Sequence, residues 1–148
     1  MADIYVPDRK IVKPVLASMI KYNVPFGYRQ DTVGAISDSP QVNLFYDADK
    51  GILAEDSNGL LNVTNRAAAE LFGYKMTELV GMLSEKLVPE RFREQRTKLF
   101  KRILEEQILV ELDGLRLNKS REEIPIHGWV FPYQLGNNLS IAAAITRR

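Results

Sequence analysis

The chain of 148 residues contains no cysteine, one histidine and one tryptophan. Without a thiol there is no disulfide, thiolate metal site, iron–sulfur cluster, cysteine nucleophile or covalent cysteinyl adduct. A single histidine, His127, does not furnish a transition-metal site by itself. Long hydrophobic runs are missing as well. None approaches the roughly 20 residues of a membrane-spanning helix, and the polar N-terminus has no signal-peptide core. A soluble, cytoplasmic chain with no membrane partner is expected. Neither sign of charge dominates: 20 basic and 19 acidic residues leave a net charge of +1, which argues against nucleic acid as the main partner. No Gly-x-Ser-x-Gly, phosphate-cradling glycine loop with lysine, or His-Glu-x-x-His occurs, so an enzyme has no residues to stand on. The acid pairs Glu105-Glu106 and Glu122-Glu123 diverge on a helix or strand and read as solvated faces rather than as a glycosidase pair.

What is present is globular. Hydrophobic residues make up 45% and charged residues 26% of the chain, close to the average for folded domains, and the length suits one domain with an appendage. Between Asp8 and Asn23, Val12, Val15, Leu16, Met19 and Ile20 have the spacing of one helical face. Such a short amphipathic helix is marginal alone and must dock on the domain or on a second copy. Asn23 to Gln41 reads as loop, rich in proline, glycine and serine. This divides the chain into an N-terminal cap, residues 1–45, and a domain, residues 46–148. Ile52 to Val63 then reads as a hairpin around Ser57-Asn58-Gly59. Asn65 caps a helix that Gly73 closes, and Gly81 closes a second over Met76 to Val80. Pro89 opens a longer helix with a stripe of Phe92, Leu99, Phe100, Ile103 and Leu104. Three strands follow: Val110 to Leu117, with a bulge or bend expected at Gly114, Ile124 to Phe131, and Leu139 to Ile145. Two strands, three helices and three strands make an α+β fold with a mainly antiparallel sheet.

Several motifs in that order resemble the PAS domain, the sensory module of bacterial histidine kinases, cyclic-dinucleotide enzymes and transcription regulators. They are Asp56-x-x-Gly59, Asn65-x-Ala67-Ala68-x-x-Leu71-Phe72-Gly73-Tyr74, Glu78-Leu79-Val80-Gly81, Leu87-Val88-Pro89-Glu90-x-x-Arg93, Val110-Glu111-Leu112-x-Gly114-x-Arg116 and Ile124-Pro125-Ile126. The likeness covers residues 50–148. It implies a five-stranded antiparallel sheet with helices on one face, often enclosing a small cavity, to which this chain adds its N-terminal amphipathic helix. It also implies a homodimer, joined through flanking helices, that regulates an effector domain or partner protein through small-ligand binding or self-association. Two other readings stand beside that one: a protein–protein interaction module with a filled core, and a noncovalent flavin or haem redox sensor. Lys119-Ser120 replaces the family's Asp-Gly turn and Ala144-Ile145-Thr146 its closing Asp-Ile-Thr. The familiar route of signal transfer into a C-terminal coiled coil is therefore not carried over.

The haem-binding subgroup places its axial histidine in the long helix, at the position of Arg96 here. Arginine cannot offer iron a neutral nitrogen, so haem by that route is not expected. Ser84 lies where the photosensory subgroup has its reactive cysteine, which excludes the cysteinyl–flavin adduct and leaves the cofactor undetermined. Gln95 and Arg96 are the informative polar residues. Either the Arg96 head reaches solvent or a carboxylate, or it enters a cavity and selects a small anionic ligand; an apolar ligand is the alternative. The walls of such a cavity are expected from Leu83, Phe92, Leu99, Ile126, Val130 and Ile141. Gly128 stands where the family carries a larger apolar residue, leaving room for a ligand or for neighbours from another chain. Trp129, Phe131 and Tyr133 alternate on the opposite strand face, where the N-terminal helix covers them or they meet a second copy. With Val12, Val15, Leu16, Met19 and Ile20 they form the expected dimer interface. His127 faces away from Ile126 and reads as a surface or interface residue.

Overall fold

The structure, a computed structural model, describes residues 5–25 and 40–148. Asp8 starts the first helix, α1 (Arg9–Lys21), by accepting a 2.9 Å hydrogen bond from the Lys10 backbone N–H. Most of the expected loop, residues 26–39, lies outside the described residues. Its end differs from the expectation: Pro40 begins a second helix, α2 (Pro40–Tyr46). Proline suits a first helical turn, and Val42 and Phe45, three apart on one helical face, are both buried.

The sheet contains β1 (Gly51–Glu55), β2 (Leu61–Thr64), β3 (Val110–Leu117), β4 (Glu123–Leu135) and β5 (Asn138–Arg147), in the order β2-β1-β5-β4-β3 and antiparallel throughout. Between β2 and β3 run α3 (Arg66–Phe72), α4 (Met76–Leu79), two single 3-10 turns at Ser84–Leu87 and Glu90–Phe92, and α5 (Arg93–Glu106). Asn65 caps α3 as expected, accepting from Ala68 N, and Gly73 ends the helix at φ 75°. The bulge expected at Gly114 is absent. The β3–β4 register is unbroken from Val110 opposite Val130 to Leu117 opposite Glu123, and the irregularity falls instead between Ala54 and Glu55 in β1. A Cβ at Gly114 would lie 3.2 Å from Arg116 Nη1, a tight contact with the end of that side chain.

Each face of the sheet is covered. Phe72, Met76 and Leu79 pack against Leu53, Ile126 and Ile145, while Ile103 of α5 packs against Val130 and Ile141. On the opposite face α1 and α2 close over Ile52, Val63, Phe131, Tyr133 and Ala144. The N-terminal helix therefore covers the aromatic stripe. Val12, Val15, Leu16, Met19, Phe131 and Tyr133, expected between copies, are buried inside the chain's own core, because α1 needs the sheet as much as the sheet needs α1. Of that set Trp129 is half-buried and Ile20 is 71% exposed. Gly128 also departs from the expectation. A Cβ there would lie 2.5 Å from both the Ala144 carbonyl oxygen and Ile145 Cγ2, so neighbouring atoms already fill the space assigned to a ligand or partner.

Candidate functional site

Where α5 crosses β3, the two separate enough to leave a groove of about 280 Å³ walled by Phe92, Leu99, Phe100 and Leu112. An apolar recess of about 50 Å³ continues beneath it toward Phe72, Val130 and Ile141. Arg96 and Arg116 border both spaces and stand at their junction. Of the expected lining residues, Phe92, Gln95, Arg96 and Leu99 line the groove, and Val130 and Ile141 line the recess. The structure does not bring the others there. Ile126 is fully buried in the core below α3 and α4, and Leu83 is 37% exposed, bridging Leu60 at the sheet margin.

Glu55, Ser84 and Arg116 complete the polar part of the site and were not foreseen. Glu55 ends β1 with its backbone carbonyl held from the opposite face by the Tyr133 hydroxyl, which donates to it at 2.9 Å. Its carboxylate turns into the cavity, where Oε1 accepts from Arg96 Nη2 at 2.7 Å and from Ser84 Oγ at 2.6 Å. Arg96 Nη2 also donates to Ser84 Oγ. The Arg96 guanidinium lies 4.1 Å from the centre of the Phe100 ring, an arrangement that stabilises a partly desolvated cation. Of the two readings of Arg96, its head does meet a carboxylate, and the meeting takes place inside the cavity, with the side chains of Arg96 and Glu55 14% and 13% exposed.

Burial lowers the Arg96 pKa from its ordinary value, and the charges of Glu55 and then Glu85 offset part of that shift. Burial, with the like charge of Arg96 behind it, pushes Arg116 down to about 10. Arginine keeps its charge at neutral pH, and a value of about 10 leaves Arg116 in that state. The Arg116 Nη1 donates to the Leu115 carbonyl at 2.9 Å, and among the described residues no carboxylate forms an ion pair with it. The signal for Arg116 was present in Leu112-x-Gly114-x-Arg116, because period-2 alternation puts these three residues on one strand face. Ser84 carried a signal of another kind, its match to the region of the photosensory cysteine, and Glu55 carried none, since its partners are distant in sequence.

His127 lies on the other face of the sheet, edge-on to Trp129 with ring centroids 5.0 Å apart. Its Nδ1 is 2.6 Å from Asp113 Oδ1 and its Nε2 is 2.9 Å from Glu111 Oε2. Those carboxylates, Asp113 foremost, raise its pKa. The cavity is lined by arginine and not by imidazole, so its residues do not fit a haem ligated through histidine.

Solved structures share this architecture. The PAS domain of a protein from Colwellia psychrerythraea is 18% identical, with a TM-score of 0.65 over 70% of this chain and 90% of that one. A PAS domain from a two-component sensor histidine kinase is 8% identical, with a TM-score of 0.60 over 71% and 90% of the two chains. The PAS domain of a LuxR-family transcriptional regulator from Burkholderia thailandensis, solved in complex with ethanol, is 16% identical, with a TM-score of 0.56 over 70% and 92%. These likenesses establish a PAS fold. No curated protein matches the chain. A family match comes from the sequence itself: the MEKHLA domain aligns with residues 27–141. Because that match begins ahead of α2 and runs into β5, taking in Glu55, Arg96, Arg116 and Ile141, the chain belongs to the MEKHLA domain family.

Proposed function

We propose that this chain is a sensory module that holds a small molecule in the cavity beneath α5 and, as a homodimer, passes its occupancy to an effector domain or partner protein. The observation that carries this reading is the open groove with the buried Arg96–Glu55 pair at its inner end. A buried ion pair costs desolvation that an apolar pair of similar size avoids, and an unfilled space forfeits dispersion contacts. Stability alone gives no reason to keep either. Ethanol bound to the related fold from the LuxR-family regulator is consistent with the same use of space. A filled-core interaction module is harder to reconcile with the open groove, and a histidine-ligated haem sensor with its lining. In this reading the module binds and signals without catalysing a reaction. No helix among the described residues is long and apolar enough to cross a membrane, and a cytoplasmic site of action accords with that.

The test compares native and denaturing mass spectra of freshly purified protein, followed by thermal shifts against a library of small molecules. Extra mass that disappears on denaturation, or a saturable shift, supports the reading. A bare chain that no small molecule stabilises overturns it, and the native mass reports directly whether two copies associate.

A further inference from the structure

Two guanidinium groups meet at the junction of groove and recess, and the carboxylate in contact there, Glu55, is engaged by Arg96 and Ser84. Arg116 is left with the neighbouring Leu115 carbonyl as its acceptor. Gly114 gives its head group room, since a Cβ there would press on Nη1. A charged group held inside a protein is costly unless paired, and the guanidinium fork matches a carboxylate in geometry. Beyond Arg116 the walls include Phe92, Leu99, Phe100 and Leu112, with Gln95 and with Asp113, whose carboxylate is engaged by His127. Their aromatic and aliphatic surface favours an apolar body over a second charge. The groove of about 280 Å³ lies at the small end of ligand sites, which favours a small occupant.

Taking the cavity as a ligand site, we propose that its ligand is a small amphipathic monocarboxylate whose head pairs with Arg116 and whose apolar body lies between α5 and β3. Glu55 and, after it, Glu85 offset the charge of Arg96, and the ligand carboxylate would then offset that of Arg116. A doubly charged anion such as inorganic phosphate would overshoot that balance and leave the apolar walls unfilled.

Calorimetric titration of the full chain with butanoate, hexanoate, octanoate and phenylacetate, each beside its primary amide, tests this. At least one carboxylate should bind about tenfold or more tightly than its amide, as expected for a charge-assisted pair. Arg116→Met, which keeps an unbranched apolar side chain without the charge, should close that gap, with the acid losing more affinity than its amide. Equal binding of acids and amides overturns the charge assignment and leaves the cavity as a ligand site. A gap that persists in Arg116→Met overturns the role of Arg116. Failure of every acid and amide to bind overturns the monocarboxylate class, and the library screen then decides the broader reading on its own. Should the variant fail to fold, the acid–amide comparison on the unaltered protein decides alone.

Discussion

Two arginine–carboxylate pairs with almost the same bond length sit in different media. Arg96 reaches Glu55 at 2.7 Å with both side chains nearly buried, whereas Arg91 grips Glu123 at 2.6 Å with its own side chain 55% exposed. Water screens the second pair and not the first. Glu55→Gln leaves Arg96 buried without its counter-charge and should cost about 2–4 kcal/mol in urea unfolding. Arg91→Ala should leave the unfolding midpoint where it was. His127 makes a separate residue-scale prediction. Its pKa is raised above 6.5, chiefly by Asp113 and then by Glu111, so its charge-linked stability is complete below about 6.5 and disappears as pH rises through the folded value. Asp113, held below 3.8 mainly by its hydrogen bond to His127, contributes in the other direction, losing its share as pH falls through its own folded value. The pair is at full strength between those limits. An NMR titration of the His127 ring should have a midpoint above 6.5 that moves down in Asp113→Asn.

At the scale of elements, α1 is the part whose status changes most between sequence and structure. Met19 of α1 and Ile103 of α5 are both fully buried, on opposite faces of the sheet. Met19→Ala and Ile103→Ala should each cost about 2–5 kcal/mol, in one cooperative urea transition. A Met19→Ala variant with an unshifted main transition would make α1 a detachable arm. The buried stripe of α1 was legible because Val12, Val15, Leu16 and Met19 repeat at helical spacing. Ile20, at the margin of that stripe, was grouped with it although it faces outward. At seven residues α2 is too short to display a period, and Pro40 among serines, prolines and a glycine reads as easily as a breaker as a helix start. Gly114 posed a comparable ambiguity: a glycine inside a strand marks a bulge or a close approach, and the sequence does not say which until Arg116 is seen above it.

For the whole molecule, the succession of two strands, three helices and three strands followed from motifs near one another in sequence, so the fold class was readable. Contacts made only when the chain closes on itself were not. Glu55 meets Arg96, which is 41 residues further on, and Gly128 is required by β5 crossing beside it. Six of the nine residues expected along the cavity border it, Gln95, Arg96 and Leu99 through the periodicity of α5, whereas Glu55, Arg116 and Ser84 were missed because they come from β1, β3 and a 3-10 turn. Asn65 joins those distant parts through a single side chain. Its amide oxygen accepts from Ile52 N and Ala68 N, and its nitrogen donates to the carbonyls of Phe45 and Lys50. Aspartate has the same outline with no donor, leucine has the outline with neither donor nor acceptor, and glutamine has the groups one carbon too far out. Among side chains of this outline asparagine alone supplies both the acceptor and the two donors that position 65 uses, so hydrogen-bond valence rather than size or hydrophobicity selects it.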